Sequence, residues 1–300
     1  MRIFTRTFFF ALIFLLAACA SSPKTFDGAH AYQTFLMAQM NLGPRPSGSA
    51  ANRATGDYIL AQLQAADWKT VTQDLDYRGV PVRNIVGKTA EGRGAVIILG
   101  AHYDTRIRAD QNKSRRDQPV PGANDGASGV AVLLELARVL DTSKLRNEVW
   151  LAFFDAEDNG DLDSCALLQK RPCDNTPWHW SVGAEYMAQN LTIKPEAVVI
   201  VDMIGDVGQN IYFEQTSDAQ LQRQLWSIAA RLGYANQFVA EYKWAMEDDH
   251  TPFLQRGIRA IDIIDFDYPY WHTTEDTADK VSAASLERVG RVLQVWLQEK

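Results

Sequence analysis

Residues able to bind a metal recur in this 300-residue chain where apolar stretches end. Ile97-Ile98-Leu99-Gly100-Ala101 runs into His102-Tyr103-Asp104, and Leu151-Ala152-Phe153-Phe154 runs into Asp155-Ala156-Glu157-Asp158. Val199-Ile200-Val201 runs into Asp202. Asn124-Asp125-Gly126 precedes a helical stretch, and Trp271-His272-Thr273 follows the last strand-like run. In an open α/β sheet, ligands bind outside the carboxyl ends of the strands, so these ends should gather on one rim. His102, Asp125, Asp158, Asp202 and His272 are then candidate metal ligands. Imidazole and carboxylate together suit zinc, and a catalytic zinc takes three protein ligands with one position left open. A lone Asp at a strand end usually caps a turn, but several such positions in one chain make coincidence a weak explanation.

Glu157 beside Asp158 suggests a division of labour. One carboxylate can bind a metal while its neighbour carries protons, because a ligand's lone pairs are already engaged. Spacing alone does not say which is which. Lys and Arg number 30 against 37 Asp and Glu, a net charge of −7, so the basic footprint of a nucleic-acid binder is missing. That balance suits a substrate with a positively charged N-terminus.

The elements that must position these residues follow from apolar periodicity. Helical spacing covers His30–Met40, Ala51–Ala66, Ala127–Leu140, Val182–Gln189, Gln220–Leu232, a short Pro252–Arg256 and an amphipathic Ser282–Gln298. Strand-like runs are Thr70–Tyr77, Val82–Gly87, Ala95–Ala101, Val149–Phe154, Val198–Ile204 and Ala260–Asp265. This alternation predicts a single globular α/β domain with a twisted, mixed and largely parallel central sheet flanked by helices. Gly43-Pro44-Arg45-Pro46-Ser47-Gly48 reads as a breaker between the first two helices. Two loops are long, Arg106–Pro121 and Asn159–Pro177, and long loops in compact domains are often functional. The basic cluster of the first, Arg106, Arg108, Lys113, Arg115 and Arg116, reads as solvated surface.

Residues 1–18 form an export signal: Arg2 and Arg6 make a positive head, and the apolar run Phe8 to Leu16 is too short for a permanent span. Leu16-Ala17-Ala18-Cys19 resembles the bacterial lipoprotein cleavage box, which implies a lipidated Cys19; a tether over 19–29 then leads into the α/β domain, expected to be catalytic, over 30–300. Acyl chains would hold the protein stably on a membrane. Ala20 after Cys19 implies the outer membrane, facing the periplasm. In that oxidising compartment Cys165 and Cys173 are expected to pair as a disulfide clip on the long loop.

Gly100-Ala101-His102-Tyr103-Asp104-Thr105, Gly122-Ala123-Asn124-Asp125-Gly126-Ala127-Ser128-Gly129 and His272-Thr273-Thr274-Glu275-Asp276-Thr277 together resemble the zinc aminopeptidase superfamily, which includes the glutaminyl cyclases. The resemblance runs from about residue 30 to the C-terminus. Asp248-Asp249-His250-Thr251-Pro252-Phe253-Leu254-Gln255-Arg256-Gly257 looks like the cyclase branch, as do Trp271 before His272 and the pair Tyr268-Pro269. Asp158 replaces the Glu ligand of animal cyclases, and Asp262 stands where those enzymes usually carry His.

The cyclase resemblance implies one zinc on Asp125, Asp158 and His272, with Glu157 as general acid/base. Asp248 and Asp202 would form a hydrogen-bonded carboxylate pair near Glu157, and His102 would be a neighbour rather than a ligand. Trp271 and Tyr268 would pack on the side chain of an N-terminal glutamine, which closes into pyroglutamate with release of ammonia. Trp178 and Trp180 could contribute from the long loop. The expected partners are peptides or proteins with N-terminal Gln and, through the lipid anchor, a membrane; the protein is expected to be monomeric, without nucleic acid. The alternative is an aminopeptidase with two zincs that uses all five ligands, with His102 and Asp202 as the candidates for the second. A non-catalytic binding module on the same fold is the third possibility.

Overall fold

A computed structural model describes residues 24–163 and 176–300. The lipobox Cys19 and the pair Cys165 and Cys173 lie outside the described residues, as does the signal segment. The folded body begins before the expected tether ends. Phe26 is buried, and its ring occupies the space a side chain at Gly290 would fill, where an added Cβ would come within 2.2 Å. Gln294 accepts from Phe26 N and donates to Lys24 O, which fixes this entry segment to the last helix.

Helix α1 begins at Gly28–His30, capped by the Asp27 side chain, widens into a π-helical stretch over Ala31–Leu36 and resumes as Met37–Leu42. Helix α2 (Ala50–Ala65) starts from Ser49, whose side chain accepts from Asn52 N. The strands are β1 (Lys69–Tyr77), β2 (Val80–Thr89), β3 (Val96–His102), β4 (Glu148–Phe154), β5 (Ala197–Asp202), β6 (Ile211–Phe213), β7 (Phe238–Tyr242) and β8 (Ala260–Ile264). Interleaved with them are helices α3 (Ala127–Val139), α4 (Val182–Asn190), α5 (Ala219–Arg231), α6 (Thr251–Gln255) and α7 (Ala283–Glu299). Every element expected from periodicity is present, its ends displaced by no more than two residues. The short parallel pair β6 and β7 was not anticipated.

The main sheet has the order β1-β2-β4-β3-β5-β8. β4, β3, β5 and β8 run parallel, while β1 and β2 close one side antiparallel. The parallel strands are apolar almost throughout because both faces are covered. Ile97, Leu99, Leu151, Phe153, Val199 and Val201 face the larger cluster that contains α3 and α7. Alternate residues, Ile98, Ala152, Phe154, Val198 and Ile200, face Ala184, Met187 and Ala188 of α4 and Phe253 of α6. The chain leaves β3 for β4 on one side and later enters β5 on the other. Strand order therefore reverses at β3, and a crevice opens above its carboxyl end.

Candidate metal centre and catalytic cavity

His102 ends β3 and Asp202 ends β5, and register brings both to one rim with Phe154, after which Glu157 and Asp158 follow. His102 Nε2 lies 3.0 Å from Asp202 Oδ1 and 3.2 Å from Asp125 Oδ1. His272 Nε2 lies 2.8 Å from Asp158 Oδ1 and 3.7 Å from Asp125 Oδ2. Two buried sets result, His102/Asp125/Asp202 and Asp125/Asp158/His272, each with ligand atoms within 4.8 Å of one another. Asp125 belongs to both and turns one oxygen to each.

These residues fit a divalent cation. Asp125 Oδ2 and Asp158 Oδ2 are buried with no hydrogen-bond donor, a costly state for carboxylate oxygens that an ion would relieve. Burial and the charge of Asp125 push Asp158 up to about 6, against the pull of His272. Burial alone would lower His272, but Asp158, Asp110 and Asp125 hold it at about 9. The mixed nitrogen and oxygen donor set is one that zinc accepts.

The backbone around the centre is held in unusual conformations. Ala156, Met203 and His272 have φ of +62°, +44° and +54°, uncommon for non-glycine residues and clustered at this rim. Gly126 has φ +97°, and an added Cβ would meet Asp104 O at 2.8 Å, so this turn requires glycine. Asp276 receives the N–H groups of Asn124 at 2.8 Å and Asp125 at 3.1 Å, which sets the pose of the shared ligand. Asp104 receives Glu157 N at 3.1 Å and Asp158 N at 3.3 Å, so it fixes the acidic pair rather than serving His102 alone.

Several positioning residues escaped the sequence reading. Arg45, inside the segment read as a breaker, is fully buried and donates to Tyr103 O, Gly43 O, Pro121 O and Gly122 O. Burial lowers its guanidinium to about 10, while the nearby carboxylates of Asp276, Asp104 and Asp125 oppose that shift. Arg106 corrects the expectation of a wholly solvated basic cluster. It is buried, donates to Asp158 O and Gly160 O, and grips Asp110 with two hydrogen bonds of 2.9 and 2.8 Å. Asp110 Oδ1 in turn lies 3.5 Å from His272 Nδ1, the side of the ring away from the metal-facing nitrogen. Arg108, Lys113, Arg115 and Arg116 are exposed as expected.

Beside the centre lies a cavity of about 170 Å³. Glu157 and Asp248 line it together with the apolar side chains of Trp271, Phe266, Ile264 and Trp180. Burial pushes the Glu157 carboxyl well above its ordinary value; His102 opposes this, and Asp248, Asp158 and Asp249 reinforce it. Trp271 stacks on His272 with ring centroids 3.8 Å apart, and Trp180 lies parallel to the same imidazole at 6.0 Å. Trp178 instead packs into the core with Val80, Val82 and Val182.

Two expectations change. Tyr268 is not on the cavity wall: it is buried below, and its hydroxyl donates to Asp276 Oδ1 at 2.6 Å, so it supports the Asp125 turn. Asp202 Oδ1 engages His102 Nε2 at 3.0 Å and accepts from Met203 N at 2.8 Å, and the carboxyl paired with Asp248 is that of Asp262. Asp248 lies against Asp262, a buried residue of β8 whose oxygens meet no N–H or O–H donor. Burial and Asp248 push the Asp262 carboxyl well above its ordinary value, as expected of two carboxyls that cannot both ionise.

A model of peptidase family M28 matches residues 84–297 of this chain. A bovine glutaminyl-peptide cyclotransferase-like protein is 26% identical over 85% of this chain and 72% of its own length. The crystal structure of glutaminyl cyclase from Porphyromonas gingivalis is 32% identical, covers 91% of this chain and 98% of its own, and superposes with a TM-score of 0.82. A Zn-dependent exopeptidase from Parabacteroides distasonis is 29% identical over 93% of this chain and 100% of its own, with a TM-score of 0.84. The chain belongs to peptidase family M28, on the glutaminyl cyclase branch of its zinc aminopeptidase-like fold.

Proposed function

We propose that this chain is a zinc-dependent glutaminyl-peptide cyclotransferase that converts N-terminal glutamine of peptides or proteins to pyroglutamate and ammonia. The observation that carries this reading is the cavity itself, a space for one side chain where Glu157, Asp248 and Trp271 face the Asp125/Asp158/His272 set. One zinc on those three residues would supply a Lewis acid for the γ-carbonyl oxygen of the glutamine.

The protein's own groups account for the rest. Trp271 and Trp180 give the aliphatic part of the glutamine side chain flat apolar walls and exclude water. In that confined space the α-amine of the substrate is held near its own Cδ, so attack is intramolecular. The new C–N bond closes a five-membered ring, and the bond from Cδ to the amide nitrogen breaks. Glu157 accepts the proton that the amine loses and returns one to the departing nitrogen, which leaves as ammonia. A carboxyl raised by burial and by neighbouring carboxylates is suited to hold a proton at working pH. Asp248, paired with Asp262, borders the same space and offers the substrate's amino group a hydrogen-bond acceptor.

One observation favours a second reading. The His102/Asp125/Asp202 set is complete, so a second metal and aminopeptidase chemistry would need no further ligand. For location, the positive head, short apolar run and Leu16-Ala17-Ala18-Cys19 support an exported, lipid-anchored protein, and Ala20 after Cys19 supports the outer membrane, facing the periplasm.

The test pairs two assays on purified, zinc-loaded protein. A Gln-initiated peptide is followed for ammonia and ring closure, and peptides with varied N-termini are followed for residue release. Ring closure without release, lost in Glu157→Gln with zinc content unchanged, is the expected result. Release without ring closure, with two zincs per chain, would overturn the cyclase reading in favour of the peptidase.

A further inference from the structure

A second hollow of about 450 Å³ adjoins the catalytic cavity, and Trp180, Glu247 and Asp248 line both. A peptide whose first residue fills the smaller space has this larger one beside it for the residues that follow. Its wall is acidic. Asp161, Glu185 and Glu247 all line it, and no Lys or Arg side chain does so among the described residues. Asp161 receives Trp180 Nε1, and Glu185 receives the neutral Gln189 amide. Among the described residues, no Lys or Arg forms an ion pair with any of the three.

An independent feature marks the same wall. The residues Ser181 and Trp178 both border this hollow, and behind its surface the buried Ser181 Oγ and Trp178 Nε1 have no hydrogen-bond partner among the described residues. Both can donate, and buried donors are normally satisfied. The carbonyls of an extended peptide are acceptors of the matching kind.

We propose that this hollow receives the second and third residues of the substrate and selects peptides with Arg or Lys at those positions. The proposal rests on the cyclotransferase reading for its chemistry, but on the acidic wall alone for its preference. Exposed carboxylates each contribute modestly, and three of them acting on two cations amount to roughly tenfold in kcat/KM at low ionic strength.

The experiment compares three peptides that share N-terminal Gln and carry Arg-Arg, Ala-Ala or Glu-Glu next, on zinc-loaded wild type and on the double variant Glu185→Gln/Glu247→Gln. Wild type should favour the Arg-Arg peptide over Ala-Ala about tenfold through KM, with Glu-Glu slowest, and the ratio should shrink as salt rises. In the double variant the ratio should fall severalfold. Equal kcat/KM for all three peptides in wild type overturns the subsite, while the cyclotransferase reading stands. If no peptide cyclises, that reading fails and the subsite is judged by calorimetric titration of the same peptides. Tighter binding of Arg-Arg then supports it, and equal affinities overturn it.

Discussion

Glu214 offers a severe test of how the Asp248 loop is held. Its carboxylate is buried and accepts from Thr216 N, Ser217 N, Ser217 Oγ and Met246 N at 2.7 to 3.0 Å, with His250 Nε2 at 3.4 Å. One side chain therefore ties the segment after β6 to the loop that presents Asp248. Burial alone would raise its pKa, but His250 and the donors from Thr216, Ser217 and Met246 lower it to about 2 from 4.5. A depressed carboxyl stabilises the fold above its unfolded value, and that contribution is lost as pH falls through the folded one. The shift corresponds to about 3 kcal/mol at pH 7 and just under 1 kcal/mol less at pH 4. Glu214→Gln keeps the shape but turns an NH2 toward backbone donors, so it should lose most of that amount. Urea unfolding of metal-loaded wild type and variant at both pH values measures it. A difference below about 1 kcal/mol at pH 7, or one that grows toward pH 4, would refute the account of Glu214 as an ionic hub.

Other expectations follow from the centre itself. Asp110→Asn should weaken metal affinity roughly 10- to 100-fold with little change in fold, because His272 Nδ1 loses its orienting charge; competitive chelator titration measures this. Removing the metal with a chelator should lower Tm, since Asp125 Oδ2 and Asp158 Oδ2 then stay buried without partners, and zinc addition should restore it. Gly126→Ala should cost about 2 kcal/mol or more, through its positive φ and the backbone oxygen of Asp104. Chemical denaturation would show this as a lower midpoint at constant slope.

The strand and helix pattern was legible because buried parallel strands are nearly continuous apolar runs and amphipathic helices repeat near 3.6 residues. Val198–Ile204 could be seen that way, and so could Ser282–Gln298. The pair β6 and β7 could not. Ile211–Phe213 is too short to display a period, and Glu241 and Tyr242 of β7 are exposed. Trp178 and Trp180 sit two positions apart in the same loop, yet one is core and the other a cavity wall. Composition and spacing are the same for both, and only their neighbours in space separate them.

The candidate ligands could be picked out from the chain because metal chemistry favours their types and the sheet brings their positions together. One Asp at a strand end usually caps a turn, but several such His and Asp positions point to a common site, and parallel strands bring their ends to one rim. What sequence could not decide is how each group is held. Arg45 in a Gly-Pro segment and Arg106 in a basic loop look like surface residues, and each becomes a buried clamp through contacts distant along the chain. Likewise the Tyr268 hydroxyl serves Asp276, and the carboxyl partner of Asp248 is Asp262. Hydrogen bonds and shared protons depend on positions within a fraction of an ångström. Those positions are set by the packing of the whole domain, which no local pattern encodes.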